Sequence, residues 1–132
     1  MATEAVVIPL SLAVEEPASA SVPMYRSMLN TCGLHPRQFG KALEVGADIA
    51  SLDLEDSVPP ASRDGVRAQV LGYLNRAVER RPGFTWGVRV NSLHGPDGLR
   101  DLIGLIDSGA RPDALVLPKV ESAAEVLGTA SL

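Results

Sequence analysis

The sequence predicts an α/β fold built from parallel βα units, and three observations carry that prediction. From Met24 onward, short apolar stretches alternate with helical patterns, and glycine or proline closes most of them. The clearest strands have one apolar face and one that turns polar towards its C-terminal end. The chain has 132 residues, 45% apolar and 21% charged, which supports a packed core and excludes wholesale disorder. With aromatics at only 4%, the core is expected to rest on Leu, Val, Ile and Ala.

Residues 25–31 read as the first strand. Residues 36–45 read as a helix with Phe39, Ala42 and Leu43 on one face and Gly46 as its stop. Residues 48–54 form a strand that runs into an acidic loop. Residues 61–80 carry Val66, Val70, Tyr73, Leu74, Ala77 and Val78 at helical spacing. Residues 84–90 are the third strand. Residues 96–108 form a helix whose buried stripe is expected to be Leu99, Leu102, Ile103 and Ile106, closed by Gly109. Residues 114–117 are the fourth strand, and a fourth helix starts at Ser122.

Strand phase selects among the architectures. In residues 49–55, Ile49, Ser51, Asp53 and Glu55 share one face, and Ala50, Leu52 and Leu54 the other. In the third strand, Thr85, Gly87, Arg89 and Asn91 oppose Trp86, Val88 and Val90. A strand covered by helices on both faces is apolar on both. Strands apolar outward and polar at the top of the inner face fit a TIM (β/α)8 barrel. A full barrel takes about 250 residues, so four units correspond to a partial barrel. The expected organisation is a flexible leader over residues 1–22 and a half-barrel over 23–132.

Charge and composition narrow the function classes. Twelve basic against sixteen acidic side chains give a net charge of −4, which argues against a nucleic-acid partner. No apolar run reaches the roughly 20 residues of a membrane helix, so no membrane association is expected. A single cysteine, Cys32, excludes an internal disulfide and a cysteine zinc cage. The apolar stretch 5–14 lacks a preceding Lys or Arg and is flanked by Glu4, Glu15 and Glu16, unlike a signal peptide. A cytoplasmic location is expected.

Three strand ends concentrate polar chemistry: Asp53-Leu54-Glu55-Asp56, Arg89-Val90-Asn91 and Pro118-Lys119-Val120-Glu121. In a parallel array these ends share one edge, where such folds place their sites. Three carboxylates within four residues need a cation, a hydrated metal or hydrogen-bond donors to stay ionised. Arg89 and Lys119 are the cations at hand, and Arg89 has the planar fork that grips a carboxylate. Two readings are open here: a substrate site, or an ion-pair network that closes the top of the barrel. Cys32 reads as a small buried residue, and His35 and His94 as loop or capping residues. No G-x-G-x-x-G phosphate loop occurs.

Several segments resemble the citrate lyase beta-subunit and malyl-CoA lyase group of the HpcH/HpaI aldolase family. They are Arg26-Ser27-Met28-Leu29, Lys41-Ala42-Leu43 with Gly46-Ala47-Asp48, and Leu52-Asp53-Leu54-Glu55-Asp56-Ser57-Val58-Pro59-Pro60. Arg63 and Arg67, Val88-Arg89-Val90-Asn91 and Leu117-Pro118-Lys119-Val120-Glu121-Ser122 continue the series, over residues 24 to 126. The resemblance implies a TIM barrel that makes or breaks a carbon–carbon bond in an acyl-CoA or 2-oxo-acid substrate, with Mg2+ as cofactor. It implies Arg89 as the substrate-binding arginine and Glu55 and Asp56 as carboxylates acting on the metal's waters. It implies Asp53, Asn91 and Lys119 as possible residues lining the mouth. The family's direct metal ligands lie beyond residue 132, so none is expected in this chain, and Glu121 is not promoted to that role. Cys32 stands where the family has proline. The alternative function is a non-catalytic half-barrel that serves as a binding or assembly module. Two open sheet edges lead to the expectation of self-association.

Overall fold

The computed structural model describes residues 5–9, 24–76 and 82–132. Five strands form one mixed sheet: β1 (Val6–Pro9), β2 (Met28–Cys32), β3 (Ile49–Asp53), β4 (Thr85–Arg89) and β5 (Ala114–Leu117), in the spatial order β1-β5-β4-β3-β2. The β2–β3, β3–β4 and β4–β5 pairs are parallel. Helices α1 (Ala42–Val45), α2 (Arg63–Arg76), α3 (Pro96–Ser108) and α4 (Ala123–Ala130) follow β2, β3, β4 and β5 in turn, giving the four expected βα units.

The register sorts side chains into two faces. Thr31, Leu52, Val88 and Leu115 lie level across the sheet on the helix-covered side, and Leu52 and Val88 are fully buried. One residue further on, Cys32, Asp53, Arg89 and Val116 lie level on the opposite face. The expected phase of the strands is therefore present, apolar beneath the helices and charged at the C-terminal edge. Four of the five aromatics are gathered in one cluster. Edge-to-face contacts link Phe39 to Tyr73 (4.9 Å between centroids), Tyr73 to Trp86 (5.7 Å) and Trp86 to Phe84 (5.2 Å).

The structure departs from the sequence reading in four places. First, Val6–Pro9 is a strand where a flexible leader was expected, and it pairs antiparallel with β5. Its alternation puts Ile8 opposite Leu115 and into the core, 8% exposed, which anchors a segment too short to be recognised alone. Residues 10–22 of the expected leader lie outside the described residues. Second, the expected helix over 36–45 is a 3-10 turn at Pro36–Gln38 followed by the single turn α1. The N–H groups of Phe39, Lys41, Ala42, Leu43 and Glu44 donate i→i−3 bonds of the tighter winding, and Phe39 is fully buried. Gly46 ends α1 in the left-handed conformation, φ 78°, that glycine adopts without cost.

Third, α2 starts at Arg63, after a 3-10 turn at Pro60–Ser62, where the helix was expected from residue 61; it is described to Arg76, and residues 77–80 of the expected helix lie outside the described residues. Fourth, the buried side of α3 is Gly98, Asp101, Leu102 and Leu105, while Leu99, Ile103 and Ile106 are 56–60% exposed. Asp101 explains the rotation. Its carboxylate is fully enclosed and holds Arg67 of α2 and Asn91 after β4, so an acidic residue takes an inward position that hydrophobic periodicity assigns to its neighbours. Gly98 makes the close approach possible: a Cβ there would lie 2.8 Å from the Asn91 carbonyl oxygen.

Candidate functional site

The site is assembled at the C-terminal edge of the sheet, around a two-pronged ion pair. Arg89 closes β4 and Asp53 closes β3, directly level with it. Arg89 donates from Nε to Asp53 Oδ1 and from Nη2 to Asp53 Oδ2, both at 2.8 Å. The carboxylate also accepts the Glu55 N–H at 2.9 Å, the Ser57 N–H at 3.1 Å and the Ser57 hydroxyl at 2.5 Å. Five donors on two oxygens saturate it. Burial by itself would raise the Asp53 pKa, but the bonds from Arg89, Ser57 and the two backbone N–H groups outweigh it and bring the pKa down to about 2. The same hydrogen bond with Asp53 raises the Arg89 pKa further above its ordinary range.

The tight turn after β3 follows from these bonds. Asp53 reaches forward to the N–H groups two and four residues on, an Asx-type turn that folds Glu55 back over the strand end. Glu55 is 3% exposed. Its cations come from two strands: Lys119 Nζ lies 2.5 Å from Oε1, and Arg89 Nη1 lies 3.7 Å from Oε2. Lys119 also stands 3.4 Å from Asp56, whose side chain remains 66% exposed. Pairing with Glu55 raises the Lys119 pKa. Lys119 is the one non-glycine residue with positive φ among the described residues, 54°, and that left-handed backbone carries it at the acidic loop.

The candidate residues thus separate into a mouth and a buttress. Asp53, Glu55, Asp56, Arg89 and Lys119 come together at the mouth. Asn91 sits behind them. Its amide donates to the Leu54 carbonyl (2.9 Å) and to Asp101 (2.8 Å), so it ties the β3 exit to α3. The strand alternation that grouped Asn91 with Arg89 ends at Arg89, where β4 itself ends. Cys32 is level with Asp53 and Arg89, and its thiol donates to the Ser57 carbonyl at 3.3 Å. His35 stands at the N-cap position of the 3-10 turn, where its backbone carbonyl, and not its side chain, accepts from the Gln38 N–H at 2.9 Å. His94 lies 3.1 Å from Glu125 and 3.8 Å from Glu121 on the outer rim.

Three contributors were not singled out in the sequence: Ser57, Asp101 and, in its paired role, Arg67. Arg67 donates from Nε to Asp101 at 2.6 Å and from Nη1 to Asp64 at 2.6 Å, bridging α2 to α3. The spacing Asp53-x-x-x-Ser57 was the available signal for Ser57. Nothing in the local sequence announces that Asp101 turns inward.

The arrangement can grip an anion. The Arg89 fork spends two of its five N–H groups on Asp53, and Nη1 faces the mouth beside Glu55. It does not supply a set of direct ligands for a divalent metal. Asp53 is saturated, Glu55 is held by Lys119, and among the described residues no group of three or more His, Cys, Asp or Glu could hold an ion.

Comparison with known proteins shows the family. The family model described as HpcH/HpaI aldolase/citrate lyase matches residues 26–132. The L-malyl-CoA/beta-methylmalyl-CoA lyase of Cereibacter sphaeroides is 35% identical over 123 residues, covering 89% of this chain and 36% of that protein. The citrate lyase subunit beta of Escherichia coli is 34% identical over 102 residues, covering 77% of this chain and 32% of the relative. The solved structure of protein CitE from Mycobacterium tuberculosis, in complex with magnesium, acetoacetate and coenzyme A, aligns with a TM-score of 0.66 at 30% identity. That alignment covers 82% of this chain and 38% of the other. The chain therefore spans about a third of the length of the curated relatives it matches. Among the described residues no helix is long and apolar enough to cross a membrane.

Proposed function

We propose a function from the premise that this chain belongs to the HpcH/HpaI aldolase/citrate lyase family: it forms the substrate-carboxylate-holding part of a carbon–carbon lyase acting on an acyl-CoA or 2-oxo acid. The observation that carries the reading is the Asp53–Arg89 pair. It holds a largely buried guanidinium at the C-terminal edge and leaves Nη1 unsatisfied by Asp53. Fixing the fork before substrate arrives lowers the ordering cost of a two-point contact with a carboxylate. In breaking a carbon–carbon bond next to a carbonyl, negative charge grows on the carbonyl oxygen, and a preorganised cation near it stabilises that charge.

Each side chain then has a stated part. Arg89 binds the substrate carboxylate. Asp53 orients Arg89 and, with its pKa near 2, stays charged throughout the neutral range. Lys119 pairs with the enclosed Glu55 and holds it at the mouth. Asn91 and Asp101 hold the strand ends in register. A divalent cation such as magnesium, when bound, supplies Lewis-acid stabilisation in the complete enzyme. Its direct ligands belong outside this chain, and Glu55 and Asp56 are proposed to meet only its waters.

Titration of the chain with acetoacetate, followed by NMR shifts of the Arg89 side chain, tests the reading. Binding of the isolated part is expected to be weak, with a dissociation constant of about 1 mM, and to be lost in Arg89→Lys. Equal binding by the parent and Arg89→Lys would remove Arg89 from the substrate site. One observation favours the non-catalytic reading: the acidic side chains of the mouth already have cations within the chain. That reading predicts no acetoacetate shifts at Arg89 at any concentration.

A further inference from the structure

Helix α3 carries two apolar faces, and the sheet uses only one of them. Gly98, Leu102 and Leu105 turn inward with Asp101. Leu99, Ile103 and Ile106 form a second stripe, and each is more than half exposed. They recur at steps of four and three residues, the spacing of the seam along which one helix packs on another. The neighbouring helices leave this stripe open. α2 meets the opposite flank of α3 through the Arg63–Asp97 and Arg67–Asp101 pairs and the bond from Asn75 to the Ser108 carbonyl. α4 lies on the stripe's side, where Leu102 and Ile106 share an apolar cavity with Thr129. The strand that feeds α3 is β4, in the middle of the sheet, so a sheet continued at either edge does not reach the stripe. Two charges flank it. Arg100 and Asp107 are both exposed and, seven residues apart, lie on the same side of the stripe. That separation exceeds the three- and four-residue steps at which side chains of one helix meet. Arg100 donates to Asp97 at 3.1 Å, one turn back, and its side chain remains 59% exposed.

We propose that this stripe is an interface for α3 of a second copy of the chain, the two helices packing antiparallel about a two-fold axis at Ile103, with Arg100 of each copy facing Asp107 of the other. The occupant follows from the charges. In an antiparallel two-fold pair, each side of one stripe lies beside the same side of the other. Arg100 lies three residues before Ile103 and Asp107 four residues after it. Reversing the second helix therefore brings the two to within about 1.5 Å of the same level, and the symmetry makes the pairing twice. A parallel pair would set the charged side of each helix against the Leu102 side of the other and leave all four charges unmatched. The same patch serves both copies, so the contact closes at two. It lies in the helix layer, whereas Asp53 and Arg89 are on the opposite face of the sheet, so the interface is separate from the mouth and from the lyase reading.

Light scattering of the chain across a concentration series tests this. A contact between two short helices is small, so the parent is expected to dimerise with a dissociation constant of about 100 µM. Ile103→Asp meets its own copy at the axis and should raise that constant about tenfold or more. Arg100→Asp and Asp107→Arg should each raise it about tenfold, because each sets like charges across the pair. Mixed in equal amounts, these two variants should associate as the parent does, since every Asp of one copy then faces an Arg of the other. Thermal melting of each variant alone checks that it is folded. A parent chain that stays monomeric up to about 1 mM would overturn the proposal. So would folded charge variants that dimerise as the parent does, or a mixture that associates no better than its two components. If Ile103→Asp fails to fold, the mixture decides alone.

Discussion

Strand β3 is bracketed by two Asp–Arg pairs of nearly the same chemistry and opposite character. Just before it, Asp48 accepts from Arg26 Nε (3.2 Å), Arg26 Nη2 (2.9 Å) and the backbone N–H groups of Arg26 and Ser27. At its end, Asp53 accepts from Arg89 through the same two nitrogens and from two backbone N–H groups and a hydroxyl. Both carboxyls are held down to a pKa of about 2. For Asp48 the leading cause is the Arg26 hydrogen bond, whereas Asp53 must first overcome its own burial. Exposure separates them: the Arg26 side chain is 83% exposed and the Arg89 side chain 17%. Equal geometry therefore does not mean equal energetic weight. The pair before β3 stitches the approach to β2 in water, while the pair after it is largely buried at the C-terminal edge.

Truncation gives the largest contrast. Asp53→Ala strands a largely buried arginine and two backbone donors, and a loss of about 3–5 kcal/mol in urea unfolding is expected. Asp48→Ala should lower the melting temperature only slightly, since water replaces the lost partner. Comparable losses in the two variants would erase the distinction. Acid comes next in size. The folded pKa of Asp53 lies below its ordinary value of 3.8, so its stabilisation is fully present above about pH 4 and fades as the pH falls through about 2. Allowing for solvent screening, that contribution is about 1–2 kcal/mol. Asp53→Asn should flatten the stability profile between pH 4 and pH 2 by this amount, and an unchanged slope would mean that another carboxyl dominates acid unfolding.

Salt should produce the smallest effect and the sharpest test of location. At about 1 M salt the screening length shrinks to about 3 Å. The Asp48 carboxyl should then titrate closer to its ordinary value, while Asp53 barely moves. Carbon-detected NMR of the two side chains follows both in one sample. Equal drift of the two would mean that the mouth is as wet as the opposite edge.

The contrast also shows what the linear sequence can and cannot disclose. Asp53 and Arg89 were legible because both end a strand whose alternation is clean, and a parallel register must bring such ends together. The four βα units were legible for the same reason: each is a local pattern closed by a local stop. Asp101 was not, because its inward turn depends on Arg67 and Asn91, which lie 34 and 10 residues away. Periodicity reads an aspartate as outward-facing, so the stripe was assigned to Leu99, Ile103 and Ile106, which the structure exposes. Strand β1 escaped because four residues carry too little pattern, and its partner Ala114–Leu117 lies at the far end of the chain. The position of Lys119 was legible, but its backbone conformation was not, since nothing about a lysine advertises a positive φ.

That last residue places stability and chemistry in conflict at a single codon. Glycine would relieve the left-handed backbone at position 119, and a laboratory selection for thermal tolerance alone would be drawn towards it. The same change would remove the ammonium from the enclosed Glu55. Screens that score only heat resistance should therefore drift away from lysine here or stall on the unpaired carboxylate, whereas, on the proposed lyase reading, screens that score turnover should keep the strained residue. Position 119 is thus a poor target for rigidifying this scaffold and a sensitive marker of which property an evolving population is being asked to keep.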